Sequence, residues 1–145
     1  AGSHVERRWD DARAKGGKIL GGGFSDGLFV RPAVSAGATR EMAVAEEEIF
    51  GPVAPLFRFE SEEEAVRLAN DTEYGLASYL YSRDIGRITR VSEALEYGMV
   101  AVNTGMLSNA AAPFGGVKQS GMGREGSRYG MDEYLEMKYI VTAGI

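Results

Sequence analysis

The chain has 145 residues, 44% of them apolar and 26% charged, which suits one soluble globular domain with a real core. A net charge of −5 without a basic cluster argues against nucleic acid as a partner. No apolar run is long enough to span a membrane. The absence of cysteine excludes a disulfide framework and thiolate chemistry from within the chain, and a single histidine makes a protein-built zinc site implausible. With no signal-peptide pattern, the chain reads as cytoplasmic.

In chain order, Ala1-Gly2-Ser3-His4 can be an expression scar and is set aside; the start within a charged helical pattern suggests a truncated chain. Val5, Trp9 and Ala12 recur with helical spacing, and Gly16-Gly17 closes that helix. Lys18-Ile19-Leu20 predicts a brief strand, Gly21 to Gly27 a flexible stretch, and Leu28 to Val34 an extended segment around Pro32. Met42 to Phe50 carries three consecutive glutamates and turns at Gly51-Pro52, before a strand over Pro52 to Phe59. Ser61 with Glu64 matches a capping box for a helix with Ala65, Leu68 and Ala69 on its apolar stripe. After a loop from Asn70 to Gly75, Leu76 to Tyr81 reads as a strand. Asp84 then caps a second helix, with Ile85, Ile88, Val91 and Leu95 inward and Gly98 at its end. Met99 to Val102 is a short apolar strand. This alternation predicts an α/β layer with a parallel sheet, in which ligands sit beyond the carboxyl ends of strands.

That position is where the longest irregular stretch begins. Asn103 to Gly126 is 24 residues with six glycines and one proline, the composition of a loop that turns sharply and approaches something closely. Loops of that length are more often functional or disordered than plain connections, and Met106, Leu107, Phe114, Val117 and Met122 are available as apolar anchors. The tail from Tyr134 to Val141 alternates, with Leu135, Met137, Tyr139 and Val141 on one side, so it predicts a strand with one buried face that seeks a sheet edge.

Two patterns fail on context. Gly121-x-Gly123-x-x-Gly126 matches a dinucleotide fingerprint, but no strand leads into it and no acidic residue follows at the required distance. Gly23-x-Ser25-x-Gly27 matches a nucleophile elbow, but the only histidine lies upstream. Two local groupings remain open from residue types alone. Glu48 and Phe50 are two apart, so in extended backbone both can meet one ligand, a carboxylate for a ribose diol and a ring for a planar group; equally, Phe50 is core and Glu48 a solvated acid. Ser108 can donate to an anionic or carbonyl oxygen and Phe114 can line an apolar channel; equally, they are a local serine–backbone bond and a loop anchor.

The blocks EEIFGPVAPLFRF, NDTEYGLASYLYSRD and VNTGMLSNAAAPFGGVKQSGMGREGSRYGMDEYLEMKY together resemble the C-terminal part of the aldehyde dehydrogenase superfamily, nearest to its succinate-semialdehyde members, across residues 5–145. The resemblance implies an α/β fold: a three-layer parallel-sheet portion of the catalytic domain over 5–131, and an oligomerisation strand over 132–145. It implies oxidation of a small-molecule aldehyde with NAD or NADP by a cysteine nucleophile and a glutamate-activated water. By the resemblance, Glu48 holds the nicotinamide-side ribose and Phe50 stands beside it. Phe114 lines the substrate tunnel, Ser108 meets the distal carboxylate of the substrate, and Glu125 is structural or a proton relay. The nucleophile, the base and the oxyanion-hole asparagine of the family have no counterpart in this segment. The chain is therefore expected to be a fragment, inactive alone and homo-oligomeric through its last strand.

Overall fold

The computed structural model describes residues 2–24 and 29–144, and the chain divides into two compact units, Ala1–Glu60 and Ser61–Ile145. Among the described residues no helix is long and apolar enough to cross a membrane.

In the first unit, α1 (Gly2–Ala14) lies against a three-stranded sheet. It begins at Gly2, so it takes in residues left aside in reading the sequence. Its apolar edge is the expected one: Trp9 is 2% exposed and packs with Val5 and Ala33, flanked by half-buried Ile19, Val30 and Val53. A second cluster gathers Ala12, Ala38, Met42 and Val44, with Ile49 and Phe57 packed on it. The helix stops at Gly16, whose φ of 91° few other residues adopt. The sheet comprises β1 (Lys18–Leu20), β4 (Ala33–Ala36) and β5 (Val53–Leu56). The central strand runs antiparallel to β1 and parallel to β5. Between them β2 (Gly23–Phe24) pairs with β3 (Val30–Arg31). Ser25–Gly27 of the elbow pattern, and Leu28, lie outside the described residues.

The stretch predicted as extended to Val34 is broken at Pro32 into two strands, since proline has no N–H for a ladder. The segment from Met42 contains a single helical turn, α2 (Ala43–Glu46), too short to leave a periodic trace. Its first N–H, from Ala43, is taken by the Asp11 carboxylate at 2.7 Å. The buried Arg8 reaches from α1 to the Glu47 carboxylate and to the His4 carbonyl, so its charge is paired rather than stranded.

The second unit is held differently. α3 (Glu62–Asn70) begins as predicted, with the Ser61 hydroxyl accepting from the Glu64 N–H, yet no residue of it is fully buried. α4 (Ile85–Ala94) is capped by Asp84, which accepts from the Arg87 N–H. Of its predicted inward residues Val91 is buried and Ile88 and Leu95 are half-buried, but Ile85, the first residue of the helix, is 76% exposed. The helix ends at Leu95, not Gly98. Gly98 is instead a place of close approach, where a Cβ would overlap the Gly115 carbonyl. β7 (Ala77–Leu80) and β8 (Met99–Val102) pair in parallel from Ala77↔Met99 to Leu80↔Val102, and β6 (Tyr74–Gly75) pairs antiparallel with β9 (Val117–Lys118). Among the described residues the strands thus form four small sheets, mixed in direction, rather than one parallel layer. A 3₁₀ turn covers Tyr129–Tyr134, and residues 135–144 run on exposed without a ladder partner among the described residues, so the predicted terminal strand is not formed here.

Polar ties replace a core between α3 and α4. Glu62 accepts from Arg87 Nε and Arg90 Nε, both at 3.0 Å, and from Arg90 Nη2 at 3.1 Å. These hydrogen bonds, Arg90's first, hold the Glu62 carboxyl below its ordinary value of 4.5. A carboxyl lowered in the folded state contributes stability above that ordinary value, lost as pH falls through the lowered one. The thermal midpoint is therefore expected to drop on acidification from about pH 6 to about pH 3. Glu62→Gln lowers it at the higher pH and narrows the gap between variant and parent at the lower. A gap that stays constant between the two pH values would rule this out.

Candidate functional site

Glu48 and Phe50 sit in the first unit, between α2 and β5, and their placement follows from Ile49. That residue packs on the Ala12–Met42 cluster, which turns its two neighbours outward. Of the adjacent acids, Glu47 is engaged by Arg8 and Arg7. The Glu48 carboxylate makes no hydrogen bond or ion pair with the described residues; only its backbone carbonyl is touched, by His4 Nε2 at 3.4 Å. Phe50 is 86% exposed, so the core alternative for it fails. The geometric premise fails as well: Phe50 has φ of 44°, a left-handed conformation uncommon for a bulky residue, so the backbone is not extended through it. The strain is held in place on both sides. Ile49 is anchored in its cluster, and Gly51 lies so close to Val5 that a Cβ would stand 2.7 Å from its Cγ2. A strained, solvent-facing aromatic beside an unpaired carboxylate is an arrangement that fits a planar ring and a diol.

Ser108 and Phe114 belong to the second unit. Asn103 leaves β8 with φ of 56°, Asn109 closes a turn by accepting the Ala111 N–H at 2.9 Å, and Phe114 and Glu125 exchange backbone hydrogen bonds at 2.8 and 2.7 Å. The loop is thus a folded structure, but of the expected anchors only Leu107 is half-buried: Met122 is fully exposed, Met106 largely so, and Phe114 and Val117 are only partly covered. Backbone pairing and charged side chains do that work. Arg124 Nη1 donates to the Gly116 and Gly123 carbonyls at 2.8 and 2.7 Å, and Lys118 Nζ to those of Asn70 and Thr72 at 2.9 and 3.2 Å. Ser108 is exposed and its hydroxyl has no hydrogen-bond partner among the described residues, so the local serine–backbone bond is not made. Phe114 lines a cavity of about 590 Å³ with Leu76, Met122, Arg124, Glu125 and Glu133, whereas Ser108 is not in its wall. Gly121, Gly123 and Gly126 all have positive φ in this loop and open no helix, which agrees with rejecting the dinucleotide pattern.

Reading residue types left Arg124 and Lys118 without a role; the sequence marks them only as cations within a glycine-rich stretch, whose carbonyls need donors. Among the described residues no group of acids and histidines could hold a metal ion.

Because Phe50 contributes little burial and carries backbone strain, Phe50→Gly is expected to leave the urea midpoint unchanged or to raise stability by up to about 1 kcal/mol. A loss larger than that would show that the ring supports the fold.

Comparison with known proteins gives the family. The profile described as "Aldehyde dehydrogenase family" matches residues 1–140. The 3-sulfolactaldehyde dehydrogenase of Pseudomonas putida is 60% identical over 144 residues, covering 97% of this chain and 30% of that protein. A glutarate-semialdehyde dehydrogenase of Pseudomonas putida is 56% identical over 137 residues, covering 94% and 28%. The crystal structure of a succinate-semialdehyde dehydrogenase from Burkholderia pseudomallei superposes with a TM-score of 0.91 at 62% identity, over 95% of this chain and 29% of that one. The chain therefore spans less than a third of the length of the relatives it matches. The match along nearly the whole chain, at this identity and with the same α/β fold, makes the chain a member of the aldehyde dehydrogenase family.

Proposed function

We propose that this chain is the C-terminal part of the catalytic domain of an NAD- or NADP-dependent dehydrogenase that oxidises succinate semialdehyde, or a related aldehyde with an anionic far end, to the acid. The observation that carries the reading is that Glu48 and Ser108, the two polar positions marked by the family motifs, each have a side chain without a partner among the described residues. A carboxylate and a hydroxyl held out in that way are available to a ligand. Succinate and glutarate semialdehydes and 3-sulfolactaldehyde, the substrates in the names of similar proteins, all carry an anionic group away from the aldehyde.

In this reading the cofactor, when bound, accepts the hydride. Glu48 accepts hydrogen bonds from the ribose hydroxyls next to the nicotinamide, and exposed Phe50 packs beside that ring. Ser108 donates to the distal anionic group, and Phe114 shields the approach to the aldehyde. No residue of the chain is a cysteine, so the thiolate nucleophile comes from outside it, and the chain alone contributes binding without turnover. A different aldehyde within the family is the alternative substrate, and an assembly module without catalysis the alternative role.

The tail extends this reading to assembly. Leu135, Met137, Tyr139 and Val141 are exposed on a segment with no ladder partner among the described residues, a template for another strand. Residues 134–141 thus form the oligomerisation strand, and the chain self-associates through it. Met137→Lys is expected to shift the population toward monomer in light scattering; a monomeric parent at high concentration would sink the assembly reading.

For the substrate, a hydrogen bond to a charged group contributes about 1.5–3 kcal/mol, so Ser108→Ala in the full-length protein should lower kcat/KM on succinate semialdehyde by about tenfold or more. Butanal, which lacks the anionic end, should be much less affected. Equal losses on both aldehydes would mark the serine as structural.

A further inference from the structure

The parallel β7–β8 ladder ends in an unusual way. The last strand-to-strand register is Leu80↔Val102, and the Asn103 N–H still donates to the Leu80 carbonyl at 2.8 Å. Two residues beyond Leu80, Ser82 needs partners for its own backbone, and a side chain supplies both. Asn103 Oδ1 accepts the Ser82 N–H at 2.9 Å, and Asn103 Nδ2 donates to the Ser82 carbonyl at 2.8 Å. A carboxamide has the same donor and acceptor as a peptide group, so it extends the pairing where the main chain has already turned away. The main chain has turned because Asn103 has φ of 56°, a conformation that asparagine tolerates better than almost any other residue with a Cβ. The clamp is also linked to α4: the Ser82 hydroxyl accepts the Asp84 N–H at 3.1 Å, and Asp84 caps the helix at Arg87.

We propose that Asn103 is a positioning residue for the substrate loop. Its carboxamide fixes the point and direction of departure from β8, and so sets where Ser108, five residues on, presents its hydroxyl. The inference rests on the reading of Ser108 as the contact to the anionic end of the substrate. It assigns two separable tasks to one residue, a left-handed turn and a two-point clamp. Asn103→Gly keeps the turn and deletes the clamp. Asn103→Asp keeps an acceptor for the Ser82 N–H but sets an oxygen against the Ser82 carbonyl, removing half of it.

Two measurements test the proposal. Amide exchange on this chain should show the Ser82 N–H exchanging about tenfold faster in Asn103→Gly, as for the loss of one hydrogen bond, and near the parent rate in Asn103→Asp. In the full-length protein, Asn103→Gly should raise KM for succinate semialdehyde by about tenfold through misplacement of Ser108, with a smaller change in kcat and little change for butanal. Asn103→Asp should fall between that variant and the parent. A uniform fall in kcat with both aldehydes, or Ser82 exchange indifferent to the loss of the carboxamide, would overturn the proposal. If Ser108→Ala loses the preference for the anionic substrate and neither Asn103 variant does, the Ser108 reading stands and the positioning role is wrong; if none of the three loses it, both are wrong.

Discussion

In the second unit one ammonium group joins the glycine-rich loop to the ends of both helices. Lys118 Nζ donates to the carbonyls of Asn70 and Thr72 and pairs with the Glu96 carboxylate at 2.6 Å. These three partners lie at the end of α3, in the turn after it, and just past the end of α4. A cation near the C-terminus of a helix satisfies carbonyls that have no partner within it and is favoured by the helix dipole. Lys118 itself belongs to β9, which pairs with β6 on the far side of the glycine-rich loop, so the same residue pins that loop to both helices. Its own φ of 55° shows that the backbone bends to deliver the side chain. Asn70 reinforces the junction: its carboxamide donates to the Ala94 carbonyl and accepts the Glu96 N–H, while the Tyr97 hydroxyl donates to Ala69.

The first unit solves the same problem with apolar area. Trp9, Val5 and Ala33 meet so closely that Gly22, at φ of 78°, has no room for a side chain: a Cβ there would overlap Ala33 and crowd the indole. A close-packed cluster of this kind is sensitive to the loss of a single group. Among the described residues of the second unit the buried apolar side chains are Val91 and Ala101, and its ion pairs are largely solvent-facing, where each contributes little. Its stability is therefore spread over many modest polar contacts, a pattern consistent with loops that adjust to a ligand.

The candidate site shows where residue types were sufficient and where they were not. Residue types left Glu48 and Phe50 open between a shared ligand and a core ring beside a solvated acid; both are exposed, but the extended backbone assumed for the pair does not hold, since Phe50 is left-handed. Exposure there comes instead from Ile49, which packs inward and forces its neighbours out. In the Asn103–Gly126 loop the glycines did announce sharp turns. Of the apolar side chains read as anchors Leu107 is half-buried while the methionines are exposed, and a loop this rich in carbonyls is held largely by Arg124 and Lys118.

Local signals determined most of the elements. Helix spacing set the face of α1, serine and aspartate caps set the starts of α3 and α4, and short apolar runs located β1, β7 and β8, because each of these rests on contacts within a few residues. Motif order carried the family. The strand directions, the four separate sheets, the one-turn helix after Met42 and the open tail were decided only in the tertiary structure, since pairing partners lie far apart in the chain and leave no periodic trace at either end. The same holds for Asn103. As a letter it is one polar residue after a strand; what makes it a clamp is Ser82, 21 residues earlier, brought beside it by the parallel pairing of β7 and β8.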